Sequence, residues 1–336
     1  MSETPSTSPG DDRSPPAPSS ASGATLTLGI DVGGTKILGI AATPDGTVVT
    51  RHKIATPRVP DQVPDGILAM AQQLIDEVGR PTGIGVGVPG LVDHAGVLHY
   101  GPNVPGVLGL DIVSRLRDRF GLPAVADNDG AHAARAEHRY GAARGHAHAL
   151  IVTQGTGIGG GIIVNNQVLR GANGFAGEPG HMLVDRFGHM CACGTQGCWE
   201  AVASGAGLAN LARRAAEEGW GARVLELAGG VVGHIKGEHV TMALLEGDDE
   251  AATIIDRFAW WVAQGIASLI NLLDCSIVVL GGGLTVISDA FITDVRRRVS
   301  DNVLGDGFRP EVPVVTAQLG EEAGAIGAAL LAQDAG

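Results

Sequence analysis

The chain has 336 residues and is acidic, with 36 Asp and Glu against 23 Lys and Arg and a formal net charge of −13. That balance argues against nucleic-acid partners, whose phosphates need a basic face, while leaving room for a small anion held by backbone amides. No apolar run reaches the roughly 20 residues of a membrane span, and 52 glycines with 4% aromatics suit an α/β enzyme with many tight turns.

The length accommodates two domains with full cores. Residues 1–23, with seven Ser, five Pro and no apolar core, are expected to form a disordered tail rather than a signal peptide. In Thr25 to Asp31, Leu26, Leu28 and Ile30 alternate with Thr25, Thr27 and Gly29, a strand pattern. Gly33-Gly34-Thr35-Lys36 turns the chain into a second strand, Ile37 to Thr43, and Pro44-Asp45-Gly46 signals a hairpin into a third, beginning at Thr47. A helix is predicted over Asp65–Val78, a strand over Gly83–Val88, a helix at about Asp111–Phe120 and a short strand at Ala124–Ala126. Asp127-Asn128-Asp129 sits at the carboxyl end of that strand, where ligands gather in open α/β sheets, and a helix follows over Gly130–Tyr140.

The opening pattern then recurs. Ala147–Thr153 reads as a strand, Gly155–Gly161 as a Gly/Thr-rich turn, Gly161–Val164 as a strand, and Asn165-Asn166 as a hairpin turn into Val168-Leu169. Two related halves are expected, each with a phosphate-binding hairpin. Further on, Ser204–Glu218 is predicted helical with Ser204 as N-cap; 222–247 shows no clear pattern; and Asp248–Leu273 is a long amphipathic helix, long enough for core or oligomer interface. Ser276–Leu280 is a buried-type strand running into Gly281-Gly282-Gly283, followed by a helix over Asp289–Val299, a strand over Val312–Thr316 and an Ala-rich closing helix over Glu321–Leu331.

Asp31-Val-Gly-Gly-Thr-Lys36 is neither a P-loop nor a dinucleotide fingerprint, yet its chemistry suits phosphate. The amides at Gly33 and Gly34, the Thr35 hydroxyl and the Lys36 ammonium are donors, and Asp31 is a candidate for Mg²⁺ through water. Gly155, Thr156 and Gly157 offer a second set of donors, and Gly281 and Gly282 a surface for a nucleotide base or ribose. A plain β-turn, a solvated Lys36 and packing glycines are the bland alternatives. For Asp129 the alternative is a helix N-cap, for Asn128 and Asn103 a turn, for Glu178 a solvated carboxylate, and for Glu200 a helix-dipole charge.

Three of the four cysteines, Cys191, Cys193 and Cys198, fall in one short run, spaced C-x-C and C-x₄-C, with His181 ten residues upstream of Cys191. Such a set can close a tetrahedral structural zinc site; the bland alternative is a group of buried, inert thiols. His189, closer in sequence, competes with His181 for the fourth position. Cys275 has no obvious partner, and an odd cysteine beside a metal cluster points to a reducing cytoplasm.

In order, DVGGTK, N-x-P-G, DND, GTGIGGG, E-x-G-H, C-x-CG-x-x-GC-x-E and GGG resemble the ROK family of sugar kinases, from Leu26 to the end of the chain. Within it the chain is most similar to glucokinases of the actinobacterial type. The resemblance implies a hexokinase/actin-like (ribonuclease H-like) fold, with an N-terminal domain at 24–126, a larger domain at 127–320 carrying the zinc loop, a cleft between them and a closing helix at 321–334. It further implies ATP with Mg²⁺ as phosphoryl donor, a hexose as acceptor, a dimer or tetramer, and Asp129 as catalytic base. Asn103, Asn128, Glu178, His181 and Glu200 match the family's sugar contacts, and His181 with the three cysteines its zinc ligands. Val107 stands where Trp is common, and Pro179 where an apolar residue is usual.

Overall fold

The computed structural model describes residues 25–59, 62–101, 109–283, 287, 289–305 and 307–335. Asn103 and Val107 therefore lie outside the described residues.

The chain opens with an antiparallel meander, β1 (Thr27–Val32), β2 (Lys36–Ala42) and β3 (Val48–Ala55). Helix α1 (Val63–Val78) leads to β4 (Ile84–Val88), parallel to β1. A small hairpin of β5 (Leu91–Val92) and β6 (Leu98–Tyr100) and helix α2 (Ile112–Phe120) precede β7 (Ala124–Asn128), parallel to β4. The sheet order is β3-β2-β1-β4-β7.

After α3 (Asp129–Arg139) the plan repeats. Strands β8 (Ala149–Gln154), β9 (Ile158–Val164) and β10 (Gln167–Val168) form a second antiparallel meander. A helical block follows: α4 (Glu200–Ala203), α5 (Gly205–Glu217), α6 (Ala222–Leu227), α7 (Gly237–Leu245) and α8 (Asp249–Leu273). Then β11 (Val278–Gly281), α9 (Asp289–Asn302) and β12 (Val314–Thr316) add two parallel strands, giving the order β10-β9-β8-β11-β12. Helix α10 (Ala323–Asp334) closes the chain. Strand order and strand direction are thus the same in both sheets, although the two halves share little sequence.

The alternation read at the start of the chain hides a two-faced burial. Leu28, Ile30 and Val32 pack with Ile67, Met70 and Leu74 of α1, while Gly29 faces α10. A Cβ on Gly29 would stand 1.9 Å from the Ala325 carbonyl oxygen, and one on Gly85 of β4 1.9 Å from that of Ala328. Helix and sheet backbones touch because both sides are built from Gly and Ala. Gly85→Val is expected to lower stability by about 3 kcal/mol, read as a lower urea midpoint at unchanged m-value; an unchanged midpoint would mean that α10 shifts at no cost.

Other departures have local reasons. β9 starts at Ile158, so Gly159 to Gly161 belong to a strand rather than to the expected turn. They are flat because neighbours press on them: a Cβ on Gly160 would meet Pro179, and one on Gly161 would lie 2.4 Å from the Ala134 Cβ. Asn165 and Asn166 take φ of 52° and 64°, the left-handed pair of a tight hairpin. The stretch 222–247 forms α6 and α7, short helices whose Val224, Val240 and Ala243 join the main core. Ser204 caps α5 and Asp248 caps α8. No helix among the described residues is long and apolar enough to cross a membrane.

Candidate active site

The β7–α3 junction carries the Asn-Asp pair. Asn128 caps α3: its Oδ1 accepts from the Ala131 amide at 3.0 Å, a role open to Asp129 in the sequence. Asp129, one residue on, is free of the capping duty, and its Oδ1 accepts from the Gly130 amide at 2.9 Å. Burial pushes its carboxyl above the usual carboxylate range. Gly130 lets the start of α3 lie against β9, since a Cβ there would be 2.4 Å from the Gly160 carbonyl oxygen.

Three further carboxylates converge on this point. Asp31, at the end of β1, is raised to about 7, by burial first and then by Asp129, with Lys36 pulling the other way. The two acids flank Gly87, whose Cβ would stand 3.2 Å from Asp31 Oδ1 and 3.6 Å from Asp129 Cα. Asp31 Oδ1 is buried without a hydrogen-bond partner. Two half-buried acids and an orphaned buried oxygen are short of positive charge, and a divalent cation fits that deficit. Glu178 is raised to about 7 by burial, with Asp129 and Glu200 adding to it; its Oε1 accepts from Asn128 Nδ2 at 3.2 Å. Pro179, buried against Gly160, holds the Glu178–His181 turn on β9.

Glu200, at the start of α4, joins two motifs that are far apart in the chain. Its Oε2 accepts from the Ile158 amide at 2.8 Å, at the end of the Gly155–Gly157 turn, and its Oε1 accepts from the Cys191 thiol at 3.3 Å. Gly157 is required there, because a Cβ would lie 2.2 Å from Glu200 Oε2.

The ligand atoms of His181, Cys191, Cys193 and Cys198 all lie within 4.8 Å of one another. Cys193 Sγ and Cys198 Sγ are 3.7 Å apart, close to the edge of a tetrahedron with Zn–S bonds of about 2.3 Å. The cysteines are free thiols, and the set is compatible with structural zinc. Of the two histidines, His181 is the one that lies beside the thiols. His181 Nδ1 is 3.8 Å from Cys191 Sγ, whereas His189 stands outside the cluster and contributes its carbonyl to the Gly197 amide at 3.1 Å. His181 Nε2 has no hydrogen-bond partner among the described residues. The loop is anchored by Trp199, fully buried, with its Nε1 donating to the Trp261 carbonyl at 2.8 Å and its ring lying over Gly265 of α8.

The glycine elements are distributed as follows. Gly33, Gly34 and Thr35 form the β1–β2 turn, closed by the Gly33 amide on the Lys36 carbonyl at 2.8 Å and steadied by the Thr56 hydroxyl on the Gly33 carbonyl at 2.6 Å. The Lys36 ammonium is engaged by Glu321, which also holds Lys53 at 3.0 Å. Gly155, Thr156 and Gly157 turn β8 into β9 against α5, whose Gly205 and Ala206 amides donate to the Gly155 and Thr156 carbonyls. Gly281 pairs beside Thr153, and Gly282 crosses over Gln154 at φ 91°. The second glycine turn and the triple glycine therefore meet at the carboxyl ends of β8 and β11.

Sequence reasoning missed the support behind the Asn-Asp pair. Asp127 is fully buried, and its Oδ1 accepts from the Asn128 amide at 2.8 Å. Arg170 approaches the same carboxylate at 3.1 Å, Arg135 at 3.6 Å. Arg170 also donates to the Asp93 carbonyl at 3.1 Å, tying the β5 end to β7. Neither arginine belongs to a recognisable motif.

The model of the ROK family matches residues 27–335. The chain belongs to the ROK family. It is 36% identical to a glucokinase of Streptomyces coelicolor, across 92% of this chain and 98% of that one, and 32% identical to an N-acetylmannosamine kinase of Escherichia coli O157:H7, across 91% and 98%. Its structure is similar to that of a ROK family glucokinase from Streptomyces griseus in complex with glucose and AMPPNP, with a TM-score of 0.81, 36% identity and coverage of 92% and 99% of the two chains. As a ROK family sugar kinase it has the hexokinase/actin-like fold, to which the duplicated sheet order belongs.

Proposed function

We propose that this ROK protein is a glucokinase that transfers the γ-phosphoryl group of ATP to the glucose 6-hydroxyl. The single observation that carries this reading is the half-buried Asp129, its carboxyl raised by desolvation and released from capping by Asn128, in a chain similar over nearly its whole length to Streptomyces glucokinases.

Phosphoryl transfer is mostly positioning and charge stabilisation. Asp129 accepts the proton of the attacking hydroxyl; its raised pKa brings its basicity closer to the working pH. Asn128 and Glu178, already bonded to each other, hold neighbouring sugar hydroxyls. His181 offers the sugar Nε2 while its Nδ1 faces the metal cluster, and Glu200 sits between the cysteines and the second glycine turn. The amides of the two turns and of Gly281-Gly282 cradle the nucleotide, and Lys36 exchanges Glu321 for phosphate. A magnesium ion beside Asp31 would offset the charge of the phosphates when the nucleotide is bound. Zinc on His181, Cys191, Cys193 and Cys198 would fix the histidine ring.

An ADP-release assay over a panel of hexoses, with ATP or polyphosphate as donor, tests the assignment. Glucose with ATP is expected to give the highest kcat/KM. The E. coli likeness favours N-acetylmannosamine as the second reading, and a higher kcat/KM for that sugar would replace the first.

The pH profile follows from the carboxylates. A raised carboxyl pKa means the acid form persists to higher pH, so the base is lost as pH falls. With Asp129 raised and Asp31 and Glu178 at about 7, kcat/KM is expected to decline on acidification from pH about 7, above the ordinary carboxylate range of about 4. A profile flat down to pH about 5 would separate these groups from the rate.

A further inference from the structure

At the far end of α3, whose 11 residues span about 16 Å, a cleft of about 710 Å³ opens between that helix, the β9–β10 hairpin and the last turn of α10. Its walls carry four guanidiniums, Arg135, Arg139, Arg144 and Arg170, and the imidazole of His138, against one carboxylate, Asp334. In a chain of net charge −13 this is a local reversal of sign. Arg139 and Arg144 have no side-chain partner among the described residues. Arg135 and Arg170 share the carboxylate of Asp127, with Asp334 also acting on Arg135, so Asp127 and Asp334 leave two of the four guanidiniums unbalanced, and the Nε of Arg135 and of Arg170 is buried with no acceptor. Buried guanidinium donors without acceptors are costly, and a planar fork of donors matches phosphate oxygens. The volume is that of a small-molecule pocket and exceeds what a lone monoanion needs.

We propose that this cleft binds a phosphate-bearing anion of two or more negative charges, at a site distinct from the sugar and nucleotide cleft, and that occupancy acts on the Asn128-Asp129 loop. The link is physical. Two of the four guanidiniums in the cleft, Arg135 and Arg170, also hold Asp127, and the Asp127 carboxylate holds the Asn128 amide. An anion competing for Arg135 and Arg170 loosens or re-aims that carboxylate.

Inorganic pyrophosphate, titrated into the full-length protein without divalent metal, is a suitable probe. Calorimetry should show saturable binding that weakens by at least about tenfold in Arg139→Ala/Arg144→Ala. Both arginines are exposed and remote from the glycine turns, so the variant is expected to fold and to keep its basal activity. Arg115→Ala, an exposed arginine on α2, controls for loss of charge and should bind as the wild type does. Amide exchange over residues 127–130 should respond to pyrophosphate in the wild type and not in the double variant. Binding of equal strength in the double variant, an equal loss in Arg115→Ala, or sulfate matching pyrophosphate would overturn the site. Binding without any change in exchange at 127–130 would overturn the link. Both readouts are independent of which sugar the enzyme phosphorylates.

Discussion

Asp129→Asn is expected to lower kcat by roughly 10²–10⁴-fold while glucose still binds with close to wild-type affinity. The substitution keeps the volume and the bond from the Gly130 amide, and leaves Asn128 capping α3. What it removes is the proton acceptor, so the loss should fall on kcat and spare KM. It also removes a buried negative charge that raises the pKa of Asp31 and Glu178. The folded state should therefore be no less stable than the wild type, and its unfolding midpoint serves as a control. Single-turnover rates with glucose and ATP, together with glucose binding by fluorescence of the tryptophans, separate the two effects. A variant within tenfold of the wild-type kcat would take Asp129 out of the base role.

Cys191→Ser is expected to reduce bound zinc from about one ion per chain towards none and to raise the glucose KM by about tenfold or more. The effect reaches the sugar through His181, whose Nδ1 stands 3.8 Å from the Cys191 sulfur. With the metal gone, the ring is no longer oriented. The damage should stay local, because Trp199 anchors the loop on Trp261 and Gly265 without help from the cysteines. Elemental analysis and circular dichroism test both halves of the expectation. Stoichiometric zinc in the purified variant would count against these ligands, and global unfolding would count against Trp199 as an independent anchor.

Much of the site was legible because its chemistry is written in short motifs. DND at a strand end, EPGH before the cysteine run and glycine turns after strands each depend on residues within one turn of chain. Capping at Ser204, the helix it starts and the hairpin at Asn165-Asn166 were likewise readable, since a cap or a tight turn is a contact between near neighbours; that Asp248 caps its helix instead of belonging to it came from the structure. Lys36 shows where such reading stops. As a residue type at a glycine turn it suits phosphate, yet in the folded chain it is engaged by Glu321, from the turn before α10. No local pattern specifies that partner.

What the sequence determined by itself is the family, the α/β class, the doubled order of strand, glycine turn and strand, and the inventory of carboxylates, cysteines and histidines. These follow from periodicity, turn chemistry and spacing, which act over a few residues. What only the tertiary structure decided is proximity. It set Asp31 beside Asp129 across Gly87, put His181 rather than His189 next to the three cysteines, gave the capping duty to Asn128, and placed Arg135 and Arg170 on Asp127 with a basic cleft behind them. Each pairing joins separate segments whose distance is set by close packing of glycine-lined backbones, as where α10 lies on β1 and β4. That packing is a property of the whole chain, and no single stretch of it carries the information.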